Sequence, residues 1–125
     1  MSVLDASAAV TMLLADVDRD APYLEGDFAA PDIFLVEVAN AIRRLELTDV
    51  VSAASAATAM ADLVELPVEL TSSRELVERA FVLRANVTIM DGCYVALAEQ
   101  LECGIITADA RLAGTPGIDV PFTLI

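Results

Sequence analysis

Apolar and polar positions follow two rhythms along this chain, and the change from one to the other marks its elements. Short, mainly apolar runs at residues 2–4, 28–30, 67–70 and 105–107 read as strands, and 120–125 as an edge strand. Between them apolar residues recur at helical spacing. The clearest case is residues 33–47, where Leu35, Val38, Ala39, Ile42 and Leu45 form one stripe and Glu37, Asn40 and Arg44 share another face.

Further helices are expected from Asp5-Ala-Ser7 through Leu14, briefly at 23–25, and from Thr48 or Asp49 to about Val64, stopped by Pro67. Ser72 or Ser73 should cap the next, with Glu75 and Glu78 in its early turns and its end near Asn86. Residues 90–102 make another, closed by Gly104, and 110–113 a short last one. Residues 16–20 are a charged, breaker-like stretch. Short apolar strands alternating with helices predict an α/β fold with a mostly parallel sheet covered on both faces.

The chain has 125 residues, 57% of them hydrophobic, enough for one domain with a sizeable core. The longest uncharged stretch, residues 50–61, is too short and too rich in Ser and Thr to span a membrane. The start shows no basic region or signal-peptide core, so a cytoplasmic protein is expected. Cys93 and Cys103 should stay reduced, because ten helical residues separate backbones by about 15 Å.

Charge narrows the chemistry. Twenty acids oppose seven bases for a net charge of −13, every base is Arg, and there is neither Lys nor His. That excludes Ser-His-Asp and Cys-His nucleophilic sites, histidine-ligated zinc and a P-loop lysine. Acid–base work falls to carboxylates, Tyr23, Tyr94 or metal-activated water.

Four carboxylates stand at chosen places. Asp5, Asp91 and Asp109 follow apolar runs at strand ends or helix entrances, and Glu37 lies within the strongest helix. Each aspartate is also where a helix N-cap would stand, and Glu37 suits a solvated helix face. A parallel sheet would gather such positions at one edge, where crowded carboxylates repel unless a cation lies among them.

The contexts Val-Leu-Asp5-Ala-Ser7, Val36-Glu37-Val38-Ala39-Asn40, Asp91-Gly-Cys-Tyr94 and Thr107-Ala-Asp109-Ala-Arg111-Leu112, in that order over nearly the whole chain, resemble the PIN-domain ribonucleases, especially the VapC-type toxins. Gly92 departs from that pattern, where Ala is more usual. The resemblance implies a single PIN-like domain over residues 1–125, a three-layer sandwich with four to five short strands. It implies a Mg²⁺- or Mn²⁺-dependent endoribonuclease leaving 5′-phosphate and 3′-hydroxyl ends, with Asp5, Glu37, Asp91 and Asp109 as the acidic site. Asp5 and Asp91 would ligate directly, Glu37 and Asp109 partly through water, and Thr107 and Ser7 would orient them. It also implies an antitoxin partner and a homodimer or toxin–antitoxin hetero-oligomer.

Strong acidity sits awkwardly with RNA as substrate. Arg43, Arg44, Arg84 and Arg111 are the candidate phosphate contacts, and bound cations would invert the local field. Three alternatives compete. A receiver-type phosphoacceptor needs a Lys that is missing here and paired acids after its first strand, where Ala6 and Ser7 follow Asp5. A haloacid-dehalogenase-like phosphatase wants an Asp at the place of Ser7. The third is a PIN fold kept for partner binding without catalysis. The helix pair up to Val64, with Val50, Val51, Ala54, Ala57, Met60 and Ala61, is richer in apolar side chains than one domain face needs, and is the expected partner surface.

Overall fold

The computed structural model describes every residue except Asp16 and Arg19, so the breaker expected over 16–20 falls partly outside the described residues. Five strands, β1 (Ser2–Leu4), β2 (Phe28–Pro31), β3 (Val68–Thr71), β4 (Ile105–Thr107) and β5 (Phe122–Leu124), form one sheet in the order β3-β2-β1-β4-β5. Every pairing is parallel, with Val3 opposite Ala29 on one side and Ile105 on the other. That order separates the fold from a receiver, whose strands run 2-1-3-4-5. The central strands are buried on both sides, which is why they read as apolar runs rather than alternating ones.

Helices α1 (Ala6–Leu14), α2 (Phe34–Leu47) and α3 (Ala53–Glu65) pack on one another. Helices α4 (Val77–Val82) and α5 (Ile89–Leu101) pair, and α5 lies against β1, β2 and β4. Right-handed crossovers put these two groups on opposite faces of the sheet. The short α6 (Ala110–Ala113) joins β4 to β5. Residues 92–98 of α5 are all buried, so this helix is covered all round by the sheet and α4. The close approach depends on Gly92. A Cβ there would lie 2.9 Å from the Ala80 Cβ and 3.0 Å from the Ala80 Cα.

Three boundaries differ from expectation. The helix expected from Thr48 or Asp49 begins at Ala53, because Thr48 ends α2, Asp49 turns the chain with φ +59°, and Ser52 caps α3 by accepting from Ser55 N–H. The single helix expected from Ser72 to Asn86 is a 3-10 turn, Ser73–Glu75, followed by α4. Buried Leu76 is the joint, turned into the core between the two pieces. At the end of α5 the left-handed position belongs to Glu102 (φ +52°), and Gly104 lets the Pro121 carbonyl come close, 3.0 Å from where its Cβ would stand.

Candidate active site

The chain runs outward from β1 to β2 and β3, then returns to the far side of β1 with β4. The order therefore reverses between β1 and β4, and the crevice beyond the carboxyl ends at such a reversal is where parallel sheets take ligands. Asp5 directly follows β1, and Thr107 closes β4. Around them the helices present their first turns: Asp5 precedes α1, Glu37 lies in the first turn of α2, Asp91 in that of α5, and Asp109 precedes α6. The positive ends of four helices thus face four carboxylates and offset part of their repulsion.

Capping explains only one of the acids. The Asp5 side chain makes no cap bond to α1. Its Oδ2 instead accepts the hydroxyls of Ser7 and Thr107, the latter at 2.8 Å. Ser7 Oγ accepts Ala108 N–H, and Thr107 Oγ1 accepts Asp109 N–H, each at 3.0 Å. Both hydroxyls give their single proton to Asp5, so their own 3.1 Å approach is a contact without a proton between them. Asp91 is likewise no cap, since Thr88 caps α5 and accepts the Asp91 N–H. Asp109 is one: its Oδ1 accepts from Arg111 N–H and Leu112 N–H.

Glu37 is half-buried, and its Oε1 accepts the Tyr94 hydroxyl at 3.0 Å. Tyr94, one of the two tyrosines that the composition leaves for acid–base work, belongs to the same constellation. The signal was its place three residues after Asp91, one turn along the same helix face. Arg111 Nη2 donates to Asp91 Oδ2 at 3.0 Å and to Asp109 Oδ2 at 3.1 Å.

Electrostatics ties the group together. Burial lifts the Asp5 carboxyl above its usual range, against the two hydroxyl bonds, and the charge of Asp91 lifts it further. Burial also raises Glu37, opposed by the Tyr94 bond and reinforced by Asp5 and Asp91. The Tyr94 phenol is pushed far up by burial and the nearby carboxylates, so it remains a donor. Cys93 is buried with its thiol raised, an inert core residue, and both cysteines are free.

A bond-by-bond count shows what remains. Among the described residues, Asp5, Glu37 and Asp91 each use one carboxylate oxygen in these bonds and leave the other without one, with the Ala6 N–H also close to Asp5, whereas Asp109 uses both. Three open anionic oxygens without any nitrogen or sulfur suit a hard divalent cation. As the side chains stand, no three His, Cys, Asp or Glu among the described residues converge to hold an ion. The donors fit, and convergence requires a side chain to turn.

The other candidate residues make no bond to these four acids among the described residues. Arg43 and Arg44 are exposed on α2 and make no ion pair among the described residues. Arg84 lies over the Phe81 ring at 4.3 Å.

Comparison with known proteins gives the family of the chain. The PIN domain family profile matches residues 2–118. The chain belongs to the PIN-domain family. This PIN domain is 38% identical over 131 residues to Ribonuclease VapC12 of Mycobacterium tuberculosis, covering all of this chain and 99% of that protein. It is 36% identical over 125 residues to VapC ribonuclease Mb0985 of Mycobacterium bovis, covering 100% of this chain and 98% of that one. Ribonuclease VapC1 of Mycobacterium tuberculosis is 37% identical over 98% of the chain. Among the described residues no helix is long and apolar enough to cross a membrane.

Proposed function

We propose that this chain is a divalent-cation-dependent endoribonuclease of the cytoplasm, the toxin of a toxin–antitoxin pair, acting as one domain over residues 1–125. The observation that carries the reading is the set of open carboxylate oxygens on Asp5, Glu37 and Asp91, from three different elements, at the β1/β4 reversal of a chain without His or Lys. The ribonuclease names of its full-length relatives support the same activity.

In this reading Asp5 and Asp91 hold Mg²⁺ or Mn²⁺ directly, and Glu37 and Asp109 act partly through water. The bound ion would neutralise charge on the phosphate and help water to ionise. Thr107 and Ser7 fix the Asp5 carboxylate by donating to Oδ2, which leaves Oδ1 for the ion. Tyr94 does the same for Glu37, leaving Oε2 open to accept a proton from the attacking water. Water adds to phosphorus as it gives its proton to Glu37, the 3′-oxygen leaves and takes a proton from solvent water, and the products carry 5′-phosphate and 3′-hydroxyl ends. Arg111, with Arg43 and Arg44 on α2, supplies the phosphate contacts.

The antitoxin would seat an amphipathic helix on the α2–α3 hairpin, whose Val50, Ala54, Ala57, Ala61 and Val64 are exposed. A basic side chain from the same peptide would enter the acidic edge and block it. The assembly is a homodimer or a toxin–antitoxin hetero-oligomer. A cleavage assay with and without Mn²⁺ tests the activity: Asp5→Asn and Asp91→Asn should each abolish metal-dependent cutting while circular dichroism is unchanged. Parental cleavage by both variants would leave the acids as structural residues only.

A further inference from the structure

Arg111 is the cation that the structure sets among these acids. One nitrogen, Nη2, makes both of its carboxylate bonds, while Nη1 and Nε make none to the protein among the described residues. The Arg111 main-chain N–H donates to Asp109 Oδ1, so the base of the side chain is tied to α6 while its tip reaches α5. The side chain is 64% exposed.

We propose that Arg111 is an internal counter-cation of the acidic edge, displaced from Asp91 by the divalent ion and then free to take an RNA phosphate. This rests on the activity proposed above and adds to it an exchange within the chain. Arg111 and an ion held by Asp91 compete for one carboxylate. Its grip joins Asp91 to Asp109 rather than to Asp5 or Glu37, in a site where, among the described residues, no three acids converge as they stand. Release would open a further oxygen on both Asp91 and Asp109, and Asp109 has no open oxygen otherwise.

The exchange costs little, because exposed ion pairs in water are weak and screened. The released guanidinium stays tethered within reach of the site, because the Arg111 main chain is held to Asp109, and its planar fork suits two phosphate oxygens at once. A protein of net charge −13 would thus present a cation to its substrate once metal is bound, and neutralise its own acids before that.

Calorimetric titration of Mn²⁺ into the full chain, after chelator treatment and at low salt, tests the exchange. R111Q should bind Mn²⁺ roughly three- to tenfold more tightly than the parent, given the modest worth of exposed pairs. It should also melt lower in chelator and gain more from metal, and higher salt should narrow the difference in affinity. R111K, which keeps the charge without the fork, should fall between the two. An R111Q affinity equal to or weaker than the parent's overturns the exchange and leaves Arg111 a surface ion pair. If the parent binds Mn²⁺ no better than D5N, the cation site itself fails and the exchange with it. Tight parental binding with an unaltered R111Q refutes the exchange alone.

Discussion

Thr107 donates its hydroxyl proton to Asp5 Oδ2 at 2.8 Å, joining two residues 102 positions apart. Thr107 Oγ1 in turn accepts the Asp109 N–H, so one fully buried hydroxyl fixes the carboxylate that follows β1 and the turn that delivers Asp109. Thr107→Val keeps the shape and removes both bonds. Leaving such groups unpartnered costs about 1–3 kcal/mol, to be read as a lower urea midpoint. Cleavage should fall further than the fraction unfolded accounts for, and Thr107→Ser should restore both.

Divalent metal should raise the melting temperature. An ion that binds only the folded site adds about 2.7 kcal/mol at a hundred times its Kd, a rise of roughly 10 °C for a domain of this size. Differential scanning fluorimetry across a Mn²⁺ series measures it. Asp5→Asn should flatten the response, and a parent that melts at one temperature throughout would count against a shared site.

Stability should also depend on pH in a definite direction. Asp5 and Glu37 are raised in the folded chain above the ordinary values of 3.8 and 4.5. Each therefore holds its proton more tightly when folded. The stability this contributes is complete below the ordinary value and is lost as pH rises through the raised folded one. Asp5→Asn removes that loss, so in chelator the variant should be the more stable protein at pH 7. The advantage should close as the pH falls below 3.8. Urea denaturation at several pH values checks the sign.

Much of the architecture was legible because strands buried on both faces and a helix with one apolar stripe leave strong periodic signals. What escaped has a physical cause in each case. Periodicity cannot see the change of axis at Leu76, since the 3-10 turn and α4 keep similar apolar spacing while the chain bends between them. The turn from α2 to α3 contains no glycine, and Asp49 takes the left-handed conformation instead. The acids were found because strand ends and helix starts are visible in sequence. Which of them cap was not, because that depends on Ser7 and Thr107, whose hydroxyls meet Asp5 only across the sheet. Arg111 was expected to face RNA, and its bonds to Asp91 and Asp109 depend on how α5 meets α6.

Gly92→Ala tests the packing of α4 on α5. Helix propensity favours Ala by about 1 kcal/mol. The added methyl would lie 2.9 Å from the Ala80 Cβ and 3.0 Å from its Cα, which forces two helices apart. Overpacking of this kind costs about 1–3 kcal/mol, so the net effect should be a lower urea midpoint. A midpoint equal to or above the parent's would show that α4 yields without strain.

Ala57→Glu tests the partner surface. Ala57 is exposed on α3, so the variant should fold with parental stability within about 0.5 kcal/mol. A charge in an apolar helix groove should weaken antitoxin binding at least tenfold by calorimetry, or change the oligomer seen by light scattering. Unchanged binding together with an unchanged oligomer would exclude the α2–α3 hairpin as the interface.

The placing of β1 between β2 and β4 has a consequence for how the protein is made. Val3 pairs with Ile105, and the edge that carries Asp5 is completed by Thr107, Asp109 and Arg111. A nascent chain on the ribosome can form α1, α2, α3 and the β1–β2–β3 half of the sheet, yet it holds no complete set of acids. Translation would thus yield an inert intermediate for most of its course, and the potential to cut RNA would arise in one step when β4 docks beside the strand made first.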